Sequence, residues 1–563
     1  MNILKYMLII MIGVLAGCAK LDLNPLSSPS TETFFSNETE MTIAVNDLYR
    51  VDFWGNDRED FSDNFWIRSG GNALTLGTLS SDDADILTYW TACYKAISRA
   101  NVVLKNLERY ASNFSEDFRK STEAQARFAR GYQYSRLIAH FGDVPLLQHS
   151  VSLDSAYVYT RTGKETVLQF VFDDLDYAAA NLPVSYGAAE AKRWTRGAAL
   201  SIKARTALYM GKWDIARNAS KAVIDLAALG TYSLHPDYRE LFLSAGEASP
   251  EIILSVIQSQ PEGVFNTGFL YMYPEYFLSR NSGGFSSFTP TWSLLDSYEC
   301  IDGLPIDESP LYDPHDPFSH RDPRLAQTIV PHGEEWLGYT YQPHPDSLMT
   351  LNFRTNTLVR NNDTRANNVN ASHTGLVWKK GIDQKWADTR IYENDLIIVR
   401  YAEALLIYAE SKIELDDVDA SVLNAINQVR ARAYGTSVDN TTDYPAVTTT
   451  DRQRLRTLIK RERRVEFANE GLRYMDLIRW RLAETALTRP AIGFADPVNQ
   501  NRSEWPFAGY PDIDENGIPD YANLFPYARV LGQRRFDKNR QYLWPIPEVE
   551  IRVNNRIEQN PNY

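Results

Sequence analysis

Residues 196–224 read RGAALSIKARTALYMGKWDIARNASKAVI, and this stretch decides the fold. Two helical patterns, Gly197–Met210 and Trp213–Ala227, flank Gly211-Lys212, where the glycine is the natural helix breaker. Alanine crowds the faces that would meet, so the two helices can approach closely. The spacing predicts an antiparallel helical hairpin.

The same grammar recurs along the chain. Ile97, Ala100, Asn101 and Leu104 keep helical spacing, and a long helix through Ser121–His140 stops at Phe141-Gly142-Asp143-Val144-Pro145. Ala402, Leu405, Leu406 and Ala409 repeat at i, i+3, i+4, i+7. Val422, Ala425, Ile426 and Val429 repeat it after the Asp416-Asp417 turn. Paired helices with small residues at their seams predict a mainly α fold, a tetratricopeptide-like helical-hairpin scaffold. That scaffold is expected chiefly in 38–255 and 396–485. Two long stretches, 255–395 and 486–545, lack a clear period and are rich in Tyr, Trp, Phe, Pro, Asn and Gly. Loops this long are usually functional, so they are expected to carry the ligand-binding surface.

The N-terminus reads as an export signal. Lys5 precedes the apolar run Met7–Ala16, which is shorter than the roughly 20 residues a membrane-spanning helix needs. Leu15-Ala16-Gly17-Cys18 resembles the lipobox of bacterial lipoproteins, in which the chain is cut before a cysteine that is then acylated. An ordinary signal peptide with an incidental cysteine is the alternative. The expected organisation is a signal peptide over 1–17, a lipidated tether over 18–37 and a single domain over 38–563. With Cys18 acylated, Cys93 and Cys300 remain, either as two free thiols or as one disulfide. The net charge of −14 argues against nucleic acid as a partner.

Several blocks, in order, resemble one family. They are Leu21-Asp22-Leu23-Asn24-Pro25, Trp90-x3-Tyr94-x2-Ile97-x3-Asn101, ARFARGYQYSRLIAHFGDVPLL (126–147) and the hairpin at 196–224. DG at 302–303, RDPRL (321–325), VRYAEALLIYAE (399–410), INQVRARA (426–433), RERRVEFANEGLRYMDLIRW (461–480) and LWPIPEVEIRVNNRIEQNPNY (543–563) follow. Together they resemble the SusD/RagB nutrient-binding lipoproteins of Bacteroidetes-type bacteria. The resemblance implies a SusD-like, tetratricopeptide-like fold and attachment to the outer membrane, facing outward through the lipid on Cys18. It also implies a glycan ligand and a SusC-like TonB-dependent transporter as partner. Peptide or glycoprotein ligands are the family's alternative.

No catalytic cofactor is expected. Gly-x-Ser-x-Gly, the phosphate loop Gly-x4-Gly-Lys-[Ser/Thr] and His-Glu-x2-His are absent. A hydrolase working with paired carboxylates stays open, because such pairs are recognised by distance in space. Arg461, Glu462, Arg463, Arg464 and Glu466 sit at helical spacing, where opposite charges can meet, and read as structural ion pairs.

Sugars bind by laying their C–H faces on aromatic rings while Arg and Asn donate to hydroxyls. The expected ligand residues are therefore Trp54, Trp66, Arg68 and Asn72 in 52–72, Tyr271 and Tyr273 in 265–281, and Trp336 and Trp378. A structural calcium site is expected at 512–520, DIDENGIPD. Asp512, Asp514, Asn516 and Asp520 would supply side-chain oxygens and Ile518 its carbonyl. Asn523 stands where an EF-hand has its bidentate Glu.

Overall fold

The computed structural model describes residues 34–151, 157–258, 274–494, 506–507 and 509–563. Cys18, Tyr271 and Tyr273 lie outside the described residues, as does most of the expected tether.

The long helices are α1 (Glu38–Asn46), α2 (Ala84–Arg109), α3 (Glu116–Phe141), α4 (Lys164–Asn181), α5 (Arg196–Tyr209) and α6 (Trp213–Ala228). Then, after a long excursion, come α7 (Tyr401–Glu414), α8 (Ala420–Ala433) and α9 (Arg452–Glu466). Side-chain caps close the helix starts: Asp83 accepts from Ile86 N, Ser115 from Phe118 N and Thr195 from Ala198 N. Helix α3 ends at Gly142 with φ of 72°, a left-handed stop that glycine adopts without strain.

Helices α2 to α6 stack in sequence, each against the next, and α6 packs on α7 across the intervening chain. The expected helical-hairpin solenoid is therefore present. Helix α7 is buried all round from Tyr401 to Ile413, as its apolar AEALLIYAE requires. Gly197 in α5 has a packing reason: a Cβ there would lie 2.1 Å from the Tyr232 hydroxyl. Trp90 is buried in the core, whereas Trp213 begins α6 and is half-buried. Among the described residues no helix is long and apolar enough to cross a membrane.

The stretches expected to be irregular loops are not structureless. Strands β1 (Phe65–Ile67) and β3 (Phe288–Pro290) pair antiparallel, as do β2 (Ile252–Val256) and β8 (Leu396–Arg400). Strands β4 (Glu335–Trp336), β5 (Tyr339–Thr340), β6 (Met349–Asn352) and β7 (Thr357–Arg360) form a four-stranded meander. Strands β9 (Ala491–Phe494) and β12 (Ala528–Gly532) form another pair, and β10 (Asp512–Ile513) with β11 (Pro519–Asp520) a short one. These elements enclose a second hydrophobic cluster around Trp292, Tyr298, Tyr341 and Trp378, separate from the helical core. Their aromatic richness thus fills a core of its own.

Charged residues of α9 tie the two clusters together. Glu462 receives Arg324 at 2.6 Å and Arg430 at 2.8 Å. Glu466 receives Arg324 at 2.9 Å, Arg400 at 2.6 Å, and Arg432. Arg463 pairs with Asp476 and Arg464 with Asp63, while Arg461 reaches Glu299. The ion-pairing role expected of this helix holds, but the partners come from other elements and not from its own next turn. Burial pushes the Glu466 carboxyl up, and the guanidiniums of Arg432, Arg400 and Arg324 overcome it, leaving it well below the usual carboxylate range. Cys93 and Cys300 are both free and buried, which decides against a disulfide.

Candidate ligand-binding face

Strand β1 carries Trp66 and delivers Arg68 to the surface. Its register sets Trp66 opposite Thr289 and Ile67 opposite Phe288, and Arg68 N continues the ladder to Ser287 O at 2.8 Å. Trp66 points inward and is 4% exposed. Strand β12 lies over its ring so closely that a Cβ on Gly532 would sit 2.5 Å from the indole. Arg68 instead reaches along the surface, its Nη1 donating to Phe285 O at 2.5 Å and Asn370 O at 2.6 Å.

Those two carbonyls belong to loops that meet at this point. The turn through Gly283-Gly284 presents Phe285, which is 43% exposed. Behind it the rings form a ladder into the core. Phe285 meets Tyr276 edge-on at 5.5 Å, and Tyr276 stacks on Phe288 at 4.8 Å. Beneath the turn, the Asp363 carboxyl accepts from Arg280 N at 2.6 Å, Asn281 N at 3.2 Å and Asn281 Nδ2 at 3.0 Å. Burial pushes this carboxyl up to about 6. An exposed ring braced from below, with a guanidinium beside it, can stack a sugar face and donate to its oxygens.

The expected ligand residues divide sharply. Trp54 belongs to the helical core: its Nε1 donates to Leu48 O at 2.8 Å and its ring stacks on Tyr132 at 4.4 Å. Trp378 is fully buried in the second cluster, 5.8 Å from Phe65. Trp336 is 5% exposed, with the Arg239 guanidinium 5.4 Å over its ring. None of Trp54, Trp66, Trp336 and Trp378 offers an open face, so the expectation that they stack a ligand is corrected. Their large apolar rings are better satisfied by burial in the two cores. Asn72 turns its side chain inward, donating to Asp60 O at 2.7 Å and accepting from Thr75 N at 3.0 Å. Arg68 alone of the described candidates reaches the surface, and Phe285 joins it unforeseen. The signal for Phe285 was the Gly-Gly pair before it, which marks a tight turn able to hold a ring outward.

A cleft of about 890 Å³, open solvent included, lies where the helical and loop-rich parts meet. Trp386, Tyr392 and Phe277 line it beside Glu59, Asp395 and Glu470. Its charges are committed internally, Lys380 to Glu470 at 2.6 Å and Lys192 to Asp395 at 2.8 Å.

The acidic loop does not form the expected calcium cage. Asp514 Oδ1 accepts from Asn516 N at 2.8 Å and Ile518 N at 2.9 Å, and the Ile518 carbonyl accepts from Asp514 N at 3.2 Å. Lys460 Nζ donates to Asn516 Oδ1 at 2.8 Å, and Arg489 pairs with Asp520. Asp512 faces Asp520 only as its strand partner. Cations of the protein hold two of the oxygens a metal would need. Among the described residues no group of three or more His, Cys, Asp or Glu is placed to hold a metal.

Comparison with known proteins agrees with this architecture. The model of the SusD family matches residues 250–563, and a model described as starch-binding, associating with outer membrane, matches 21–208. SusD-like protein P2 of Formosa agariphila is 24% identical over 99% of both chains. Among solved structures, a SusD-like carbohydrate-binding protein from Bacteroides fragilis is 28% identical. It superposes with a TM-score of 0.76 over 93% of this chain and 100% of its own. The surface glycan-binding protein A of Bacteroides fluxus, 20% identical, shares the fold with a TM-score of 0.63 over 94% of this chain and 100% of its own. The chain, with its helical-hairpin scaffold and its second aromatic core, belongs to the SusD family.

Proposed function

We propose that the protein is a cell-surface glycan-binding lipoprotein, anchored in the outer membrane by a lipid on Cys18. It captures an oligosaccharide or polysaccharide without cleaving it and passes it to a SusC-like TonB-dependent transporter. The observation that carries this reading is the match to the SusD family over 250–563, the part that holds the exposed Phe285 and its neighbours. The 28% identical relative of known structure is a carbohydrate-binding protein, and the chain covers all of it.

Arg68 and Phe285 are the residues proposed to touch the glycan. The ring supplies the stacking face and the guanidinium donates to ring oxygens or hydroxyls. The test of capture is retention of the purified protein by immobilised polysaccharides, with the polymer recovered at its original length. New reducing ends that grow with protein concentration would favour a hydrolase. The anchor is tested separately: Cys18→Ala releases the protein from membranes or leaves it unprocessed. A processed variant that stays membrane-bound would contradict the lipid anchor.

A further inference from the structure

Three arginines converge on one turn, and their hydrogen-bond partners there are carbonyls instead of carboxylates. Arg390 Nη2 donates to Ser282 O at 2.9 Å, Arg280 Nη1 to Gly284 O at 3.0 Å, and Arg68 Nη1 to Phe285 O at 2.5 Å. Their partners are backbone carbonyls, which orient a guanidinium but leave its full charge in place. Among the described residues none of the three makes an ion pair, in contrast to the buried Arg324, Arg400 and Arg430, which all do. Arg390 Nη1 is buried with no hydrogen-bond partner, a donor that lacks an acceptor.

The neighbouring groups extend the positive field. His373 O accepts from Phe494 N at 3.3 Å beside Gly493, whose strand partner is the exposed Arg529. Burial, then the charges of Arg365, Arg529 and Arg68, lower the His373 imidazole to about 4, so it stays neutral near pH 7. Burial first, and the like charge of Arg280 second, lower the Arg68 guanidinium. The carboxylates near the turn have other partners: Asp363 accepts from backbone amides beneath it, and Asp388, exposed and also within the field of Arg390, pairs with Arg354 at 2.8 Å. In a chain of net charge −14, this surface runs against the whole.

We propose that the surface around residues 280–286 is a subsite for an acidic sugar, with Arg68 and Arg280 binding its anionic group, Arg390 adding its charge from beneath the turn, and Phe285 packing the sugar's C–H face. A carboxylate or a sulfate ester would suit, because planar guanidinium forks pair with both oxyanions. This inference rests on the capture reading above and adds the chemical class of the ligand.

The test uses the purified chain against alginate and polygalacturonate as uronates, carrageenan and dextran sulfate as sulfate esters, and dextran and xylan as neutral polymers. The wild type should bind a member of one acidic class, more weakly as salt is added. Arg68→Ala and Arg280→Ala should each weaken that binding about tenfold, the loss of one charge-assisted contact. Lys221→Ala, on the far exposed face of α6, should leave it unchanged. Melting curves on each variant separate lost contacts from lost folding. Binding to neutral polymers alone, untouched by the arginine changes, would overturn the acidic-sugar subsite and leave glycan capture standing. Acidic polymers bound equally by wild type and both arginine variants would also overturn it. Failure to bind any polymer would remove both readings.

Discussion

Replacing Glu466 with glutamine would remove one charge from the most connected point of the molecule. The residue is fully buried, and three guanidiniums, those of Arg324, Arg400 and Arg432, share its two oxygens. Glutamine keeps the volume but turns an NH2 toward donors and leaves positive charge unbalanced. Removing one partner of a buried pair typically costs about 3–5 kcal/mol. Each arginine keeps another carboxylate: Arg324 has Asp322 and Glu462, Arg400 has Glu251 and Glu470, and Arg432 has Glu251. The expected loss is therefore near the low end, about 3 kcal/mol, and not a sum over three pairs. Urea unfolding at neutral pH reads it as a lower midpoint with an unchanged slope. The acid side gives a second signature. Because the folded carboxyl titrates below its ordinary value of 4.5, its stabilisation is present above that pH and drains away as pH falls toward the folded value. The gap between wild type and variant should close on acidification. A glutamine variant within about 1 kcal/mol of wild type at neutral pH would refute the view that these charges join the two cores.

Asp296 should behave with the opposite sign. Burial raises its carboxyl from 3.8 to about 6 against the hydrogen bond from Tyr521, so the stabilisation present below pH 3.8 is lost as pH rises through 6. Asp296→Asn should then gain on the order of 2 kcal/mol at neutral pH, visible as a higher urea midpoint, and gain nothing in acid. Calcium should leave the melting temperature unchanged, since Lys460 and Arg489 already hold Asn516 and Asp520; a clear rise would restore the cation site. Trp378→Ala should cost about 3–5 kcal/mol through the cavity left in the second core. Phe285→Ala should cost less, about 1 kcal/mol, because the residue is 43% exposed and its removal leaves no enclosed cavity, and differential scanning calorimetry compares the two.

The helices were legible because their signals are local. The Gly211-Lys212 break, the Gly142 stop and the apolar repeat of Ala402 to Ala409 each lie within a few turns of chain. The fate of the tryptophans was not legible, because burial is decided by distant partners. Trp66 is covered by Gly532, and Trp54 stacks on Tyr132. An aromatic in an aperiodic stretch reads the same whether it faces water or fills a core. The ion pairs of α9 show the same limit: Arg324 reaches Glu466 from 142 positions away, which helical spacing cannot announce. The calcium pattern in 512–520 was composed of the right residue types, yet Lys460, remote in sequence, took one of its oxygens. Arg68 was picked out only as a hydroxyl donor in the aperiodic stretch 52–72; the strand that carries it to the surface pairs with residues more than 200 positions away.

Glycan capture at the Phe285 face is tested most directly by titrating one bound polysaccharide with wild type and Phe285→Ala, beside their melting curves. A stacking ring at the heart of a site is worth about 2 kcal/mol, so affinity should fall roughly thirtyfold. The melting temperature should barely move, and the polysaccharide should keep its length throughout. Equal affinity of the two proteins for the same polymer would contradict this placement of the site.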